Sequence, residues 1–333
     1  MNVLRCNLSV ALILLLLATP PAGAWNEAGH RIIAAIAYDH LNPKARARVD
    51  DLIRRHPDYE SIFLKRIPGD TKKTPGAIAR AAFIAAAYWP DLIRSDHRFY
   101  TDTNPSARPT PLLPGFPDMG RHTNWHYYDI SFSTDGTPIK NQPPPNALSE
   151  IERLLKVVQD NPDSPEAAYA LPWLEHLIGD VHNPLHAVSR FLKSQPDGDQ
   201  GGNLVIVADG SRADGSRAGG SPNGQTLHSL WDSAGGTDTG GRSVNRRATE
   251  LTAAYMDTNP DPKLLTEAPK QWLLESHTLA RQQVYTFGNG TGSKQAPLVL
   301  PAGYRENAHR VADRQLALAG LRLAEALNQA LGQ

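Results

Sequence analysis

Three histidines and an aspartate stand in the stretch HLIGDVHNPLH, residues 176–186, among Leu177, Ile178, Val181 and Leu185, which read as core. A buried charge is costly unless it is paired or bound to a metal. These residues are therefore either hydrogen-bonded core groups or ligands. His176 and Asp180 are four apart and share one helix face. His182 points elsewhere. His186 comes ten residues after His176, nearly in phase again, with Pro184 expected to kink the backbone between. The stretch LHSLWD repeats the spacing with His228 and Asp232. Further upstream, WHYYD holds His126, WPDLIR holds Asp91, and WNEAGH holds His30, whose helix face it shares with the small residues Ala34 and Ala37. Taken singly, each reads as a polar group of core or surface. Together they form clusters of imidazole and carboxylate without thiolate, a donor set that suits zinc in a catalytic, open site.

Positioning these groups falls to helices. Asn42 and Pro43 read as an N-cap and first helical residue opening ARARVDDLIRRH. Ser149 and Glu152 read as a capping box, followed by Ile151, Leu154, Leu155 and Val158 at helical spacing. Ala312, Leu316, Ala319, Leu323 and Ala326 predict a long helix near the end. Strand signal is thin: NLVIVAD (203–209) is the one convincing run, expected to make a short hairpin arm. Residues 101–123 are proline-rich and 195–225 rich in Gly, Asp and Ser, long loops of the kind that are functional or mobile. Neither a repeat nor a dividing linker is evident. The expectation is a mostly α, single-domain helical fold with a hairpin arm and long loops.

Bulk composition narrows the partners. The 333 residues are 40% hydrophobic and 20% charged, the profile of a globular chain. Thirty-four basic residues balance thirty-four acidic ones. Duplex nucleic-acid binding by counterion release favours a basic excess, so any phosphate binding here is local. Arg5, the apolar run Val10–Leu17 and Ala22-Gly23-Ala24 read as a signal peptide over residues 1–24, with a mature domain over 25–333 beginning at Trp25. That apolar run is too short to span a membrane. The single cysteine, Cys6, lies inside the leader, which leaves the mature chain without disulfides although its compartment is oxidising. The expected location is secreted or periplasmic.

The combined pattern WNEAGH, WPDLIR, WHYYD, HLIGDVHNPLH, GGN, LHSLWD and QLALAGLRLAEALN resembles the zinc-dependent single-strand nucleases of the S1/P1 family, relatives of the bacterial zinc phospholipases C. The elements stand in the family's order and span nearly all of the chain after residue 24. The resemblance implies three zinc ions. One would be held by Asp91, His126, His176 and Asp180, and a second by His186, His228 and Asp232. The third would take His30, Asp180 as a bridge, and the free α-amino group and carbonyl of Trp25, a ligand that exists only after leader removal. It further implies attack on phosphorus by a hydroxide bridging the first and third ions, with Arg94 as the transition-state cation and a 5′-phosphate left on the product. The catalytic set is thus Asp91, Arg94 and Asp180. Tyr127 and Asp129 match the family's nucleobase pocket, where stacking on an unpaired base accounts for a preference for single strands. Asn203 of GGN is expected to contact substrate.

The implied substrates are single-stranded RNA, DNA and nucleotides, with 3′-nucleotidase activity as an extension; no obligate protein partner is evident. Fungal and plant members use disulfides, so their absence after residue 24 points to the bacterial branch. The glycine-rich segment around 208–226 is longer than the family pattern leads one to expect. The alternative is a zinc phospholipase C, in which the second ligand set typically ends in glutamate where this chain has Asp232.

Overall fold

The computed structural model describes residues 25–209 and 224–332. The chain runs through α1 (Glu27–Asp39), α2 (Pro43–Arg55), α3 (Pro75–Ala86), α4 (Trp89–Ile93), α5 (Ala147–Asp160) and α6 (Pro165–Asp180). It continues through α7 (Leu227–Asp232), α8 (Gly241–Asp257), α9 (Pro269–Leu279) and the long α10 (Tyr304–Leu331). The strands β1 (Ile130–Ser133), β2 (Val188–Phe191), β3 (Ile206–Asp209), β4 (Gln225–Thr226) and β5 (Leu298–Leu300) are short. This is the mostly helical, single-domain architecture expected. Among the described residues, no helix is long and apolar enough to cross a membrane. The proposed leader, residues 1–24, and most of the glycine-rich segment lie outside the described residues.

Caps set the helix starts. Asn42 accepts from the Ala45 amide at 2.8 Å ahead of Pro43, as expected for α2. The start of α5 differs: Asn146, not Ser149, is the N-cap, and Ser149 is the third helical residue of the box. Asn146 Oδ1 accepts from Ser149 N while Ser149 Oγ accepts from Asn146 N. This reciprocal pair satisfies two end amides and moves the start upstream, next to the run Pro143-Pro144-Pro145. The buried stripe of α5 is still the expected one, with Ile151, Leu154 and Val158 in the core. Leu155 is only partly buried.

The core lies where α1, α6 and α10 meet. α1 is buried along almost its whole length, and Ala312, Leu316, Ala319 and Leu323 of α10 face inward. α6 is buried from Ala167 to Asp180. Two corrections concern the strands and the histidine stretch. β3 begins at Ile206 rather than Asn203, because residues 203–205 form a turn in which Asn203 N donates to Gln200 O. β3 does pair antiparallel with β4, and it also pairs parallel with β5. α6 ends at Asp180, so His186 sits on a separate 3₁₀ turn, Pro184–His186, not on a kinked continuation. Asn183 explains the break: it is extended, as the residue before a proline tends to be, and its side chain accepts from Leu185 N.

The proline-rich loop is clasped by an ion triad. His122 Nδ1 and Nε2 each lie 2.8 Å from a carboxylate, Asp102 and Asp118, and its ring stacks on Trp125 at 3.7 Å. Burial pushes the imidazole pKa down, but the two carboxylates outweigh that and hold it above 6.5. A raised folded pKa means the stabilisation is complete below the unfolded value and is lost as pH rises through the folded one. Asp102→Asn should therefore cost about 1–2 kcal/mol near pH 5.5 and clearly less near pH 9.5, measured by urea unfolding. Equal losses at both pH values would show that the ring carries no charge.

Candidate metal centre

The i, i+4 pairs become geometry at the ends of two helices. His176 and Asp180 close the last turn of α6, with Nε2 3.3 Å from Asp180 Oδ2. His126, from the loop ahead of β1, brings Nδ1 to 3.0 Å from His176 Nε2 and 3.1 Å from Asp180 Oδ2. From α4, Asp91 Oδ1 lies 3.8 Å from His176 Nε2 and 3.9 Å from His126 Nδ1. On the other side of Asp180, His30 of α1 places Nε2 3.3 Å from Oδ1. A second group forms where α7 meets the turn after α6: His186 and His228 face each other, Nε2 to Nε2, at 3.0 Å, and Asp232 lies 3.6 Å from His228. Three sets have donors close enough to hold an ion: His30, Asp91 and His176; His126, His176 and Asp180; and His186, His228 and Asp232.

Tautomers follow from the outer contacts. A carbonyl oxygen only accepts, so a ring nitrogen bonded to it carries the proton. His176 Nδ1 donates to Ala87 O at 2.9 Å, His186 Nδ1 to His126 O at 2.6 Å, and His228 Nδ1 to Gly201 O at 2.7 Å. In each neutral ring the proton is therefore on Nδ1, and Nε2 presents a lone pair to the centre. His186 and His228 then confront two lone pairs at contact distance. Burial drives His30, His126, His176 and His186 below the ordinary histidine range, which favours those neutral rings.

The carboxylates move oppositely. Burial, and then the charge of Asp91, pushes Asp180 well up; burial and Asp91 do the same to Asp232. His30 Nδ1 and Nε2, Asp91 Oδ2, His126 Nε2 and Asp180 Oδ1 are buried without a hydrogen-bond partner. Each unpaired group costs about 1–3 kcal/mol. A divalent cation would accept the lone pairs that face the centre and neutralise the acids, whereas His126 Nε2 and His30 Nδ1 lie on the outer edges of their rings. The donor set fits such an ion.

Asp91 is aimed by contacts that carry no motif in the sequence. The buried Asp58 accepts from Trp89 Nε1 at 2.9 Å, from both terminal nitrogens of Arg98 at 2.8 and 2.9 Å, and from Ser61 Oγ at 2.9 Å. Burial raises its pKa, but these donors more than reverse that. Trp89, two residues before Asp91, is thereby fixed. Arg94 Nη1 contacts Asp91 at 3.0 Å from the next turn. Trp25 is wholly buried; its Nε1 donates to Gly179 O at 3.1 Å, which sets the first described residue beside Asp180 and His30. At Gly179 itself a Cβ would stand 3.1 Å from His30 Nδ1, so glycine lets that ring pack this closely without a shift.

Tyr127 and Asp129 reach the same region through the parallel pair β1–β2, in which Ile130 registers with Val188 and Tyr128 N donates to His186 O at 3.0 Å. Burial and the nearby Asp129 raise the Tyr127 phenol pKa, with Arg94 opposing. Asp129 is pushed up to about 7 by burial and by Asp199. Asp199, which no sequence motif marks, accepts from Arg190 N at 2.9 Å and from Tyr285 Oη at 2.8 Å. Asn203 is half-buried and donates to Gln200 O, while the preceding glycines meet the second histidine group. His228 N donates to Gly202 O, and Gly201 O accepts from the ring.

The family model for S1/P1 nuclease matches residues 25–332. No curated protein matches the chain.

Gly201 is left-handed at φ +59°, and a Cβ there would sit 2.4 Å from Leu185 O. Gly201→Ala should therefore lose about 2 kcal/mol or more in thermal unfolding and lower the metal content. Gly288→Ala, left-handed at +70° but with nothing within 4 Å, is the control and should lose less with full metal content. Equal behaviour of the two would separate the glycine loop from the His228 site.

Proposed function

Since the chain belongs to the S1/P1 nuclease family and is therefore a hydrolase of nucleic acids, we propose that it cleaves single-stranded RNA and DNA with zinc as cofactor, leaving 5′-phosphates. The observation that carries this is the confrontation of the His186 and His228 Nε2 lone pairs at 3.0 Å, beside the buried cluster of His126, His176 and Asp180. Three ions would be held: one by Asp91, His126, His176 and Asp180; a second by His186, His228 and Asp232; the third by His30, Asp180 and the Trp25 terminus. Zinc supplies Lewis acidity toward phosphoryl oxygens and lowers the pKa of water to about 7.

The chain's own residues do the rest. Asp180 sits between His30 and the His126–His176 pair, where it would help to hold the ions on both sides. Arg94, held against Asp91, offers a planar fork to a phosphate whose charge grows in the transition state. Tyr127 and Asp129 receive a base that is not paired, the ring by stacking and the carboxyl by hydrogen bonds to the base edge. With its pKa near 7, Asp129 alternates between acceptor and donor around neutral pH. Nucleoside 3′-phosphates present the same phosphate and base to these groups, which supports a 3′-nucleotidase activity.

A free amino group at Trp25 requires removal of residues 1–24, which supports a location outside the cytoplasm. The test is Asp180→Asn in the processed protein. It should lower activity on single-stranded RNA by at least about 1000-fold and reduce bound zinc. Unchanged turnover would remove Asp180 from the mechanism.

A further inference from the structure

Tyr88 stands beside His30, with 6.2 Å between the two ring centroids. Its phenol lies within the electrostatic reach of Asp91, Glu27, Arg66 and Arg94. The guanidinium of Arg66 lies over the Tyr88 ring, 6.0 Å from its centre. Arg66 also lines a cleft of about 510 Å³ at the start of α8, together with Arg31, Asp70, Asp238, Gly241 and Arg242. An adjoining cleft of about 270 Å³ shares Arg31 and Arg242 and adds Lys72.

The ion pairing of this region is lopsided. Glu27 Oε1 serves both Arg31, at 2.7 Å, and Arg66, at 2.6 Å, so one carboxylate faces two guanidiniums. Arg31 is 5% exposed, and its charge is disfavoured first by burial, with Arg66 adding repulsion against the help of Glu27. Asp70 pairs with Arg242 at 3.4 Å, and Asp238 accepts from Gly240 N at 2.9 Å. Arg80, on the far wall, is neutralised by both oxygens of Asp39. Across the two clefts the cations Arg31, Arg66, Lys72, Arg80 and Arg242 exceed the acids Glu27, Asp39, Asp70 and Asp238 by one, that of Lys72, in a chain whose formal charge is zero. An aromatic ring followed by guanidiniums along a groove is the arrangement that binds a single strand without reading its sequence.

We propose that Tyr88, Arg66 and Arg242 form a second strand-binding subsite, along which a single strand leaving the metal centre passes the Tyr88 ring and sets successive phosphates against Arg66 and then Arg242. This rests on the nuclease reading and extends it from the scissile phosphate to the rest of the strand. The subsite acts on long substrates and contributes little to a dinucleotide, which does not reach it.

The test compares the parent with Arg66→Gln and Arg242→Glu; the Arg242 side chain is 94% exposed, so that variant leaves the fold intact. Binding is read by fluorescence anisotropy, using phosphorothioate-linked thymidylate strands of two and of about twelve nucleotides over a salt series. Each variant should bind the long strand about tenfold more weakly, with a smaller change for the short one. Its log–log salt slope should flatten by about 0.7 for each phosphate that the variant no longer neutralises. Long-strand affinity equal to the parent's in both variants, or equal losses for the two lengths, would overturn the subsite. A parent protein that cleaves no strand would sink the nuclease reading itself, whereas a parent that cleaves while its variants bind like it would sink the subsite alone.

Discussion

Two imidazole lone pairs cannot share a 3.0 Å contact without something electron-deficient between them. His186 and His228 stand in that relation because both have given their only proton to backbone carbonyls, those of His126 and Gly201. His176, bonded to Ala87 O, turns its Nε2 lone pair toward His126 Nδ1 and Asp180. The carbonyls belong to packed backbone, so the rings cannot turn away without leaving other buried groups unpaired. Structural zinc binding is worth about 10–16 kcal/mol in small domains, enough to outweigh the unpaired atoms gathered here. The same feature that strains the protein alone is what the proposed metal would relieve.

Much of the remaining structure serves that convergence. α6 contributes its C-terminal turn, α1 brings His30 across the small residue Gly179, and α7 offers His228 and Asp232 from one short helix. The β1–β2 pair ties the chain carrying His126, Tyr127 and Asp129 to the chain carrying His186, so the candidate metal centre and the proposed base pocket are parts of one unit. Asp58 and Arg98 brace Trp89 from the far side. Function therefore depends on elements distant in sequence, and a local opening of any one would loosen several ligands together.

How much of this is legible in the sequence depends on the range of each interaction. His176–Asp180 and His228–Asp232 can be read directly because a helical repeat puts fourth neighbours on one face. The face of α1 that holds His30 is legible for the same reason. The convergence of Asp91 and His126 with them comes only from the family pattern, since no periodicity links residues so far apart. Asp58–Arg98 spans 40 positions and Asp129–Asp199 spans 70, with no local signature at either end. β1 and β2, four residues each, pair in parallel across an intervening stretch holding α5 and α6, and so give no hairpin signal. The break after Asp180 is hidden because Pro184 suggests a kink, whereas Asn183 caps a new turn after the helix has ended outright. The start of α5 is ambiguous because Asn146 and Ser149 both suit a cap, and the reciprocal contact chooses between them.

The most direct measurement is the metal content of purified, N-terminally sequenced protein by elemental mass spectrometry, followed by hydrolysis assays before and after exhaustive chelation. The account predicts a chain starting at Trp25, close to three zinc ions per molecule, and hydrolysis that disappears with the metal and returns with it. A protein that carries no stoichiometric metal, or that cleaves single strands at full rate after complete chelation, would contradict it.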